Sequence, residues 1–191
     1  MTATLSPFTT LRPRHYGALL VDPPWAWETY SEAGQGKSPQ SQYSCMDLAA
    51  IRALPMAELV RDDAVLFLWA TFPMLPQALS VMGFWGFRYV TGLPWAKQSK
   101  SGQGWAFGTG YWVRNAAELL LIGTSGAPGP KTRGRRGLIV SPLREHSRKP
   151  DDVYALVEEV AHGPYAELFA RQRRPGWDCW GHETDKFGET S

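Results

Sequence analysis

Short runs of apolar residues alternate with longer polar segments along this chain. The first continuous apolar run covers residues 18–21 and ends at Asp22, and a longer run covers 64–70. Such runs are typical of strands buried on both faces of a parallel sheet. The pattern predicts further strands at residues 87–95, 118–122, 138–140, 165–170 and 177–180. Gly92 and Pro94 are expected to interrupt the first of these.

Helix signals lie between these runs. Ser44 and Asp47 have capping-box spacing, which predicts a helix to about residue 54, and a second short helix is expected at 56–60. Thr71 as N-cap predicts a helix that stops at Gly83. After residue 150, the apolar spacing i, i+3, i+4, i+7 predicts an amphipathic helix on Val153, Leu156, Val157 and Val160. Alternating strands and helices indicate a doubly wound α/β domain, whose ligands bind at the carboxyl ends of the strands.

Length and composition favour one globular domain. The 191 residues are 43% hydrophobic and 20% charged, so we expect a single domain over 1–191, with 1–15 as an N-terminal extension and 16–187 as its core. The run 64–70 is too short to cross a membrane, and residues 1–14 lack the apolar core of a signal peptide. Two distant cysteines and four scattered histidines predict neither a disulfide framework nor a metal site. We therefore expect a cytoplasmic protein with no membrane partner.

Positive charge is concentrated in one stretch. Residues 122–149 carry seven basic residues against one acid, a local net charge of +6, whereas the rest of the chain carries −4. Such a run is either a solvated loop or a loop that contacts nucleic-acid phosphates. The candidate phosphate-binding residues are Lys131, Arg133, Arg135, Arg136, Arg144 and Arg148.

The most informative tetrapeptide is Asp22-Pro23-Pro24-Trp25, directly after a predicted strand. The exocyclic amine of a nucleobase is a weak nucleophile, because its lone pair is delocalised into the ring. A carboxylate and a backbone carbonyl that each accept one N–H can hold the amine with its lone pair toward an electrophile. Consecutive prolines present carbonyls from a stiff turn, and Trp25 offers a face for base stacking. The alternative is a simple turn followed by a core tryptophan.

This tetrapeptide and a series of blocks in the same order resemble the DPPW-type N6-adenine methyltransferases, which include the messenger-RNA adenosine methyltransferase and bacterial and phage relatives. The similarity covers about residues 17–187. Its further blocks are FLWAT at 67–71, GFRYV at 86–90, WAK at 95–97, GTGYW at 108–112, ELLLIG at 118–123, RKPDDVY at 148–154, ELFAR at 167–171 and RPGWDCWG at 174–181.

The resemblance implies S-adenosylmethionine as methyl donor and a Rossmann-like fold with a mostly parallel central sheet flanked by helices. It implies that Asp22 and the Pro23 carbonyl hold the adenine amine, that Pro24 shapes the turn, and that Trp25 forms a wall of the base pocket. Tyr43 corresponds to a loop aromatic near that pocket.

The resemblance also implies a cofactor site. Asp22, Lys149, Phe169 and Arg171 fall on its motifs, and the last motif is represented by His182 and Glu183. Two features depart from the family pattern. Residues 172–177 follow the bacterial and phage branch rather than the His-Asn pair of the messenger-RNA enzymes. His182 stands where the family usually has asparagine, and it lacks the paired donor and acceptor of an amide.

The sequence therefore favours an S-adenosylmethionine-dependent methyltransferase acting on the N6 amine of adenine in DNA. An RNA adenosine methyltransferase and a catalytically silent nucleic-acid-binding subunit remain alternatives, and the protein is expected to act alone or as a homo- or heterodimer.

Overall fold

The computed structural model describes residues 6–25, 45–145 and 147–188. Three α-helices occur in these ranges: α1 (Leu48–Arg52), α2 (Leu75–Phe84) and α3 (Asp152–Val160). The seven strands are β1 (Tyr16–Val21), β2 (Val60–Ala70), β3 (Arg88–Gln98), β4 (Ala117–Ser125), β5 (Ile139–Pro142), β6 (Tyr165–Leu168) and β7 (Trp177–Trp180). Short 3-10 turns cover Met56–Glu58 and Phe72–Met74.

The strands form one sheet in the order β5-β3-β4-β2-β1-β6-β7. β4 pairs antiparallel with both neighbours, whereas the four other pairings are parallel. Six strands therefore end at the same edge of the sheet, and β4 begins there. We call this edge, where β1 ends at Asp22, the carboxyl edge.

Both faces of the sheet are covered. Along β1, Leu19 and Val21 join one core cluster and Ala18 and Leu20 join the other, as expected for the two-residue period of a strand. The first cluster includes apolar residues of α1 and α2, and the second includes the apolar stripe of α3. This layering confirms the predicted α/β architecture with a mostly parallel sheet.

Several predicted elements are confirmed, with shifted limits. Asp47 caps α1 by accepting a hydrogen bond from the Ala50 N–H at 2.7 Å. Gly92 and Pro94 do not interrupt β3, because β4 pairs with the strand through both positions and the irregular register falls between Tyr89 and Thr91. Within the described residues, no helix has the length and apolar character needed to cross a membrane.

Candidate active site at the carboxyl edge

Asp22 lies at the carboxyl end of β1, which has paired strands on both sides. Its Oδ2 accepts a hydrogen bond from Lys149 Nζ at 2.9 Å, and only 18% of the Asp22 side chain and 16% of the Lys149 side chain are exposed. Lys149 comes from the segment between β5 and α3, so residues 127 positions apart meet here. Asp22 and Lys149, two of the predicted cofactor residues, are thus in direct contact.

A second carboxylate connects this pair to β3 and β4. Glu118, at the start of β4, lies 3.2 Å from Lys149 Nζ and also forms a close ion pair with Lys97 near the end of β3. The four side chains alternate in charge: Asp22, Lys149, Glu118, Lys97. Because β4 runs antiparallel, its first residues reach the same edge as the last residues of β1 and β3.

The charges in this network hold one another ionised. Burial opposes the ionisation of Glu118, but the charges of Lys149 and Lys97 outweigh it and lower the pKa of Glu118 to about 2. Burial alone would lower the pKa of Lys149, yet the carboxylates of Asp22 and Glu118 outweigh burial and raise that pKa above its ordinary value. Lys149 is therefore a permanent cation beside Asp22.

Two tryptophans lie against the lysines of this network. Lys149 Nζ is 5.6 Å from the ring centroid of Trp69, and Lys97 Nζ is 4.8 Å from that of Trp95. The two indoles contact each other edge to face, with ring centroids 6.1 Å apart. Ring faces attract cations within about 6 Å, so the aromatic pair helps to fix both ammonium groups.

On the other side of Asp22, Glu167 at the end of β6 lines a pocket together with Asp22, Lys149 and Phe169. Tyr154 of α3 donates a hydrogen bond to Glu167 Oε2 at 2.8 Å. Burial is the main cause that raises the pKa of Glu167 to about 7, and the negative charge of Asp22 acts in the same direction. The pocket thus holds an acidic group that binds a proton much more readily than an ordinary glutamate.

Phe169 and Arg171, two predicted cofactor residues, also line this pocket. Phe169 adopts a left-handed backbone conformation with φ of 61°, which is uncommon outside glycine and is found at constrained sites. Arg171 Nε lies 3.4 Å from Glu183 Oε2, so Glu183 is ion-paired with a residue of the pocket lining. His182 is exposed, and its ring lies 6.3 Å from that of Trp180. Its predicted role toward the cofactor remains a prediction.

The prolines after Asp22 form a tight turn. The Pro23 carbonyl accepts a hydrogen bond from the Trp25 N–H at 2.8 Å, and the Pro24 carbonyl accepts one from the Met46 N–H at 3.0 Å. A carbonyl oxygen has two lone pairs, so Pro23 retains capacity for a second donor.

Trp25 belongs to the core. It is 6% exposed, and its Nε1–H donates to the Trp69 carbonyl at 3.1 Å. This packing matches the alternative of a turn followed by a core tryptophan. Its role as a wall of the base pocket remains a prediction, because the structure shows Trp25 only within the core.

The structure separates the predicted phosphate-binding residues into two groups. Lys131, Arg133, Arg135 and Arg136 lie between the end of β4 and the start of β5, which places them at the edge opposite Asp22. Lys131 Nζ donates to the Glu158 carbonyl at 2.6 Å, and Arg135 pairs with Glu159 at 3.0 Å. Because β4 runs antiparallel, the six candidate cations do not lie on one surface. Their predicted contacts with nucleic-acid phosphates remain a prediction.

Arg144 and Arg148 do lie at the carboxyl edge, but they stabilise the segment that carries Lys149. Arg144 pairs with Asp151 at 2.7 Å and donates to the Lys149 carbonyl at 2.6 Å. Arg148 contacts Glu145 at 3.1 Å and donates to the Gln172 side chain at 3.1 Å.

Tyr43 lies outside the described residues. Within the described ranges, no group of three or more His, Cys, Asp or Glu side chains is arranged to hold a metal ion.

Four residues of the site were missed by sequence reasoning: Lys97, Glu118, Tyr154 and Glu167. Each falls inside a block that carries the family resemblance. A charged residue at the carboxyl end of an apolar strand is the signal that could have identified Glu167, because the carboxyl ends of parallel strands meet at the ligand-binding edge.

Comparison with known proteins identifies the family of this chain. The MT-A70 family profile matches residues 16–183. The catalytic subunit METTL3 of the human N(6)-adenosine-methyltransferase is 26% identical over 175 residues, which are 89% of this chain and 28% of METTL3. The N(6)-adenosine-methyltransferase MT-A70-like protein of Drosophila melanogaster is 27% identical over 175 residues, 89% of this chain and 27% of the relative.

A bacterial relative covers more of its own length. The type II methyltransferase M.MunI of a Mycoplasma species is 27% identical over 198 residues, which cover 92% of this chain and 81% of the relative. The chain spans only about a quarter of the METTL3-type relatives. Because the profile covers the sheet, the Asp22 turn and both ends of the charged network, the chain belongs to the MT-A70 family.

Proposed function

We propose that this protein transfers a methyl group from S-adenosylmethionine to the N6 amine of adenine in DNA. The observation that carries the proposal is the position of Asp22. Its carboxylate lies at the end of a central strand, in a proline turn, and lines a pocket together with Glu167 and Phe169. We infer that the amine binds at the turn and the methyl donor binds in the pocket, so that Asp22 borders both substrates.

At the first subsite, the chain orients the amine. The Asp22 carboxylate and the Pro23 carbonyl each accept one N–H of the adenine amine, which leaves the nitrogen lone pair directed out of the ring plane. Positioning of this kind supplies much of the rate enhancement when the protein takes no covalent part. In duplex DNA the target adenine must first leave the base stack, at a cost of a few kcal/mol.

The second subsite has the chemistry that S-adenosylmethionine requires. Methyltransferases of this family use this donor, which supplies an electrophilic methyl group on a sulfonium centre. Lys149 and Arg171 provide cations for its carboxylate, Glu167 provides acceptors for ribose hydroxyls, and Phe169 provides an apolar ring. Glu167 accepts a hydrogen bond from the Tyr154 hydroxyl through Oε2, and its carboxyl oxygens have lone pairs for further hydroxyl donors.

DNA is favoured over RNA because residues 172–177 resemble the bacterial and phage branch of the family, and because the type II methyltransferase M.MunI aligns along most of its own length. RNA adenosine remains the second candidate substrate, since the METTL3-type relatives are named N(6)-adenosine-methyltransferases. A silent subunit is disfavoured by the intact Asp22 and Lys149 pair.

The test is incubation with methyl-labelled S-adenosylmethionine and separate DNA and RNA pools, followed by nucleoside mass analysis. We expect N6-methyladenine in the DNA pool. Asp22→Ala, which removes the acceptor oxygens, should abolish the label and leave donor binding measurable by calorimetry. Asp62→Ala is the matched control, because Asp62 is an exposed carboxylate at the start of β2, on the opposite edge.

Each outcome has a meaning. Label in RNA alone would show that the substrate is RNA rather than DNA, with the same methyl transfer to the N6 amine of adenine. Donor binding without label in either pool would favour the silent subunit. Full activity of Asp22→Ala would overturn the proposed mechanism.

A further inference from the structure

The segment between β3 and β4, residues 99–116, carries an unusual density of exposed aromatic side chains, and we call it the aromatic loop. Trp112 is 99% exposed, Phe107 81% and Trp105 63%, and Tyr111 is also exposed. Large aromatic rings are usually buried in folded proteins, so several largely exposed rings on one loop indicate a binding surface. The reaction geometry at Asp22 does not use them.

The backbone of the aromatic loop is held in defined turns. Next to β3, the Ser99 N–H donates to the Gly104 carbonyl at 3.1 Å and the Ala106 N–H donates to the Lys97 carbonyl at 2.8 Å. This hairpin fixes Trp105, which forms a bridge with Gln98.

A second turn presents the tip of the loop. The Gly108 N–H donates to the Asn115 carbonyl at 3.0 Å. A side chain at Gly110 would overlap the Val113 carbonyl, and one at Gly108 would come within 2.6 Å of the Asn115 carbonyl. Both positions require glycine because of this close approach. Tyr111 and Trp112 are therefore displayed on a tight, specified turn.

The base of the aromatic loop is part of the candidate active site. Lys97 precedes it, Glu118 follows it, and the Lys97 N–H donates to the Ala116 carbonyl at 2.8 Å. Lys97 and Glu118 belong to the same charged network as Asp22. The exposed rings thus rise from the carboxyl edge, beside the carboxylate that the proposed reaction uses.

The charge of the aromatic loop is entirely positive. It contains Lys100 and Arg114 and no acidic residue. The Arg114 guanidinium lies 5.1 Å from the centroid of the Phe107 ring, so cation and ring are presented together. Aromatic rings interleaved with cations are the chemistry of single-stranded nucleic-acid binding, where bases stack on rings and cations contact the backbone.

We propose that the aromatic loop is a nucleobase-stacking surface that holds the nucleotides next to the target adenine. This inference rests on the proposed function, and it states which residues contact the nucleic-acid strand on either side of the target adenine. Trp112 and Trp105 stack on unpaired bases, and Lys100 and Arg114 contact the phosphates between them. The positive charge favours a polyanion over a second copy of the chain, whose matching loop would bring like charges together.

The experiment measures binding of a fluorescent single-stranded oligonucleotide in the absence of methyl donor. The probes are an intact strand and a strand of equal length that has abasic sites on both sides of its adenine. The double variant Trp105→Ala, Trp112→Ala is compared with Phe84→Ala. Phe84 is another exposed aromatic residue, at the end of α2 on the opposite edge.

We expect the double variant to lose about tenfold or more in affinity for the intact strand, since stacking contributes about 1–3 kcal/mol per base. The abasic strand offers no bases to stack at these positions, so the double variant and the wild type should bind it with similar affinity. Phe84→Ala should bind both strands as the wild type does. Donor affinity and the thermal unfolding midpoint of the double variant serve as controls of folding.

Equal losses on both strands, or no loss on either, would overturn the inference. A fall in self-association, measured by sedimentation without a change in oligonucleotide affinity, would instead assign the rings to contact with a second chain. The proposed function fails under a different result, which is the absence of N6-methyladenine after incubation with the wild-type protein. The two failures can therefore be told apart.

Discussion

At the scale of single residues, the site depends on Glu118. This carboxylate lies between two ammonium groups, and only 16% of its side chain is exposed. Removing one partner from a buried charged network lowers the free energy of unfolding by more than the ion pair contributes to it, because the remaining charge is buried without a partner. Glu118 also limits how strongly Lys149 binds Asp22, because Lys149 divides its charge between the two carboxylates.

Glu118→Gln should therefore lower both stability and activity. We expect the free energy of unfolding to fall by about 3 kcal/mol and the rate of methyl transfer to fall at least tenfold, because Lys149 then pairs with Asp22 alone and competes with the adenine amine. Urea unfolding and single-turnover methylation measure the two effects. Glu145→Gln, a change to an exposed carboxylate in the segment before Lys149, should leave the rate within twofold. Wild-type turnover in Glu118→Gln would refute this role.

Glu167 predicts a pH dependence of stability. Its pKa rises from 4.5 to about 7 on folding, so between these values the folded protein keeps a proton that the unfolded chain releases. The contribution of this proton to the free energy of unfolding is fully present below pH 4.5 and is lost as the pH rises through 7. The charged and titratable groups that act on it are Tyr154, Asp22, Arg174 and Asp151.

Glu167→Gln should remove this dependence. From about pH 5 to pH 8 the wild type should lose up to about 3 kcal/mol more stability than the variant. Denaturant unfolding across this range tests the difference between the two proteins, which cancels the contribution of other titrating groups. Parallel curves for wild type and variant would show that Glu167 does not hold the proton.

At the scale of elements, the sequence predicts strands better than their arrangement. The continuous apolar runs locate β1 and β2, because both faces of these strands are buried, and the Asp22 turn follows directly. The antiparallel direction of β4 cannot be read from its composition, since it results from pairing with β2 and β3. That direction brings Glu118 to the site and places Arg133 at the opposite edge, so neither position could be predicted from the sequence.

The turn after β6 shows how elements are held together at the pocket. A Cβ at Gly181 would lie 2.8 Å from the Ala170 carbonyl oxygen and 2.9 Å from the Ala170 nitrogen, and the Ala170 N–H donates to the Trp180 carbonyl at 3.0 Å. Because Gly181, directly after β7, has no side chain, Phe169 and Ala170 can pack closely against it.

Gly181→Ala should displace Phe169 and Ala170 and weaken donor binding about tenfold, with a loss of about 1–3 kcal/mol in stability. Calorimetric titration with S-adenosylmethionine measures the first effect and thermal unfolding the second. Gly129→Ala is the control, because a Cβ there has open space around it. Unaltered donor affinity in Gly181→Ala would show that the turn tolerates the displacement.

At the scale of the whole molecule, the two edges of the sheet carry different surfaces. The carboxyl edge has the charged network, the pocket and the aromatic loop. The opposite edge has the exposed cations Arg133 and Arg136, for which the described residues supply no ion pair. Under the proposed function, a nucleic-acid strand that delivers adenine to Asp22 meets the carboxyl edge first. Cations at that edge should then dominate nucleic-acid binding, even though the densest basic run lies at the opposite edge.

Neutralising Lys100 and Arg114 together, as Lys100→Gln and Arg114→Gln, should flatten the dependence of oligonucleotide affinity on salt by about two phosphate contacts. The matched double variant Arg133→Gln, Arg136→Gln removes the same charge from the opposite edge and should leave the slope close to that of the wild type. Fluorescence titrations over a series of salt concentrations give both slopes. A larger change in the Arg133 and Arg136 variant would place the substrate backbone on the basic run, and the strand would then have to pass around the sheet from one edge to the other to reach Asp22.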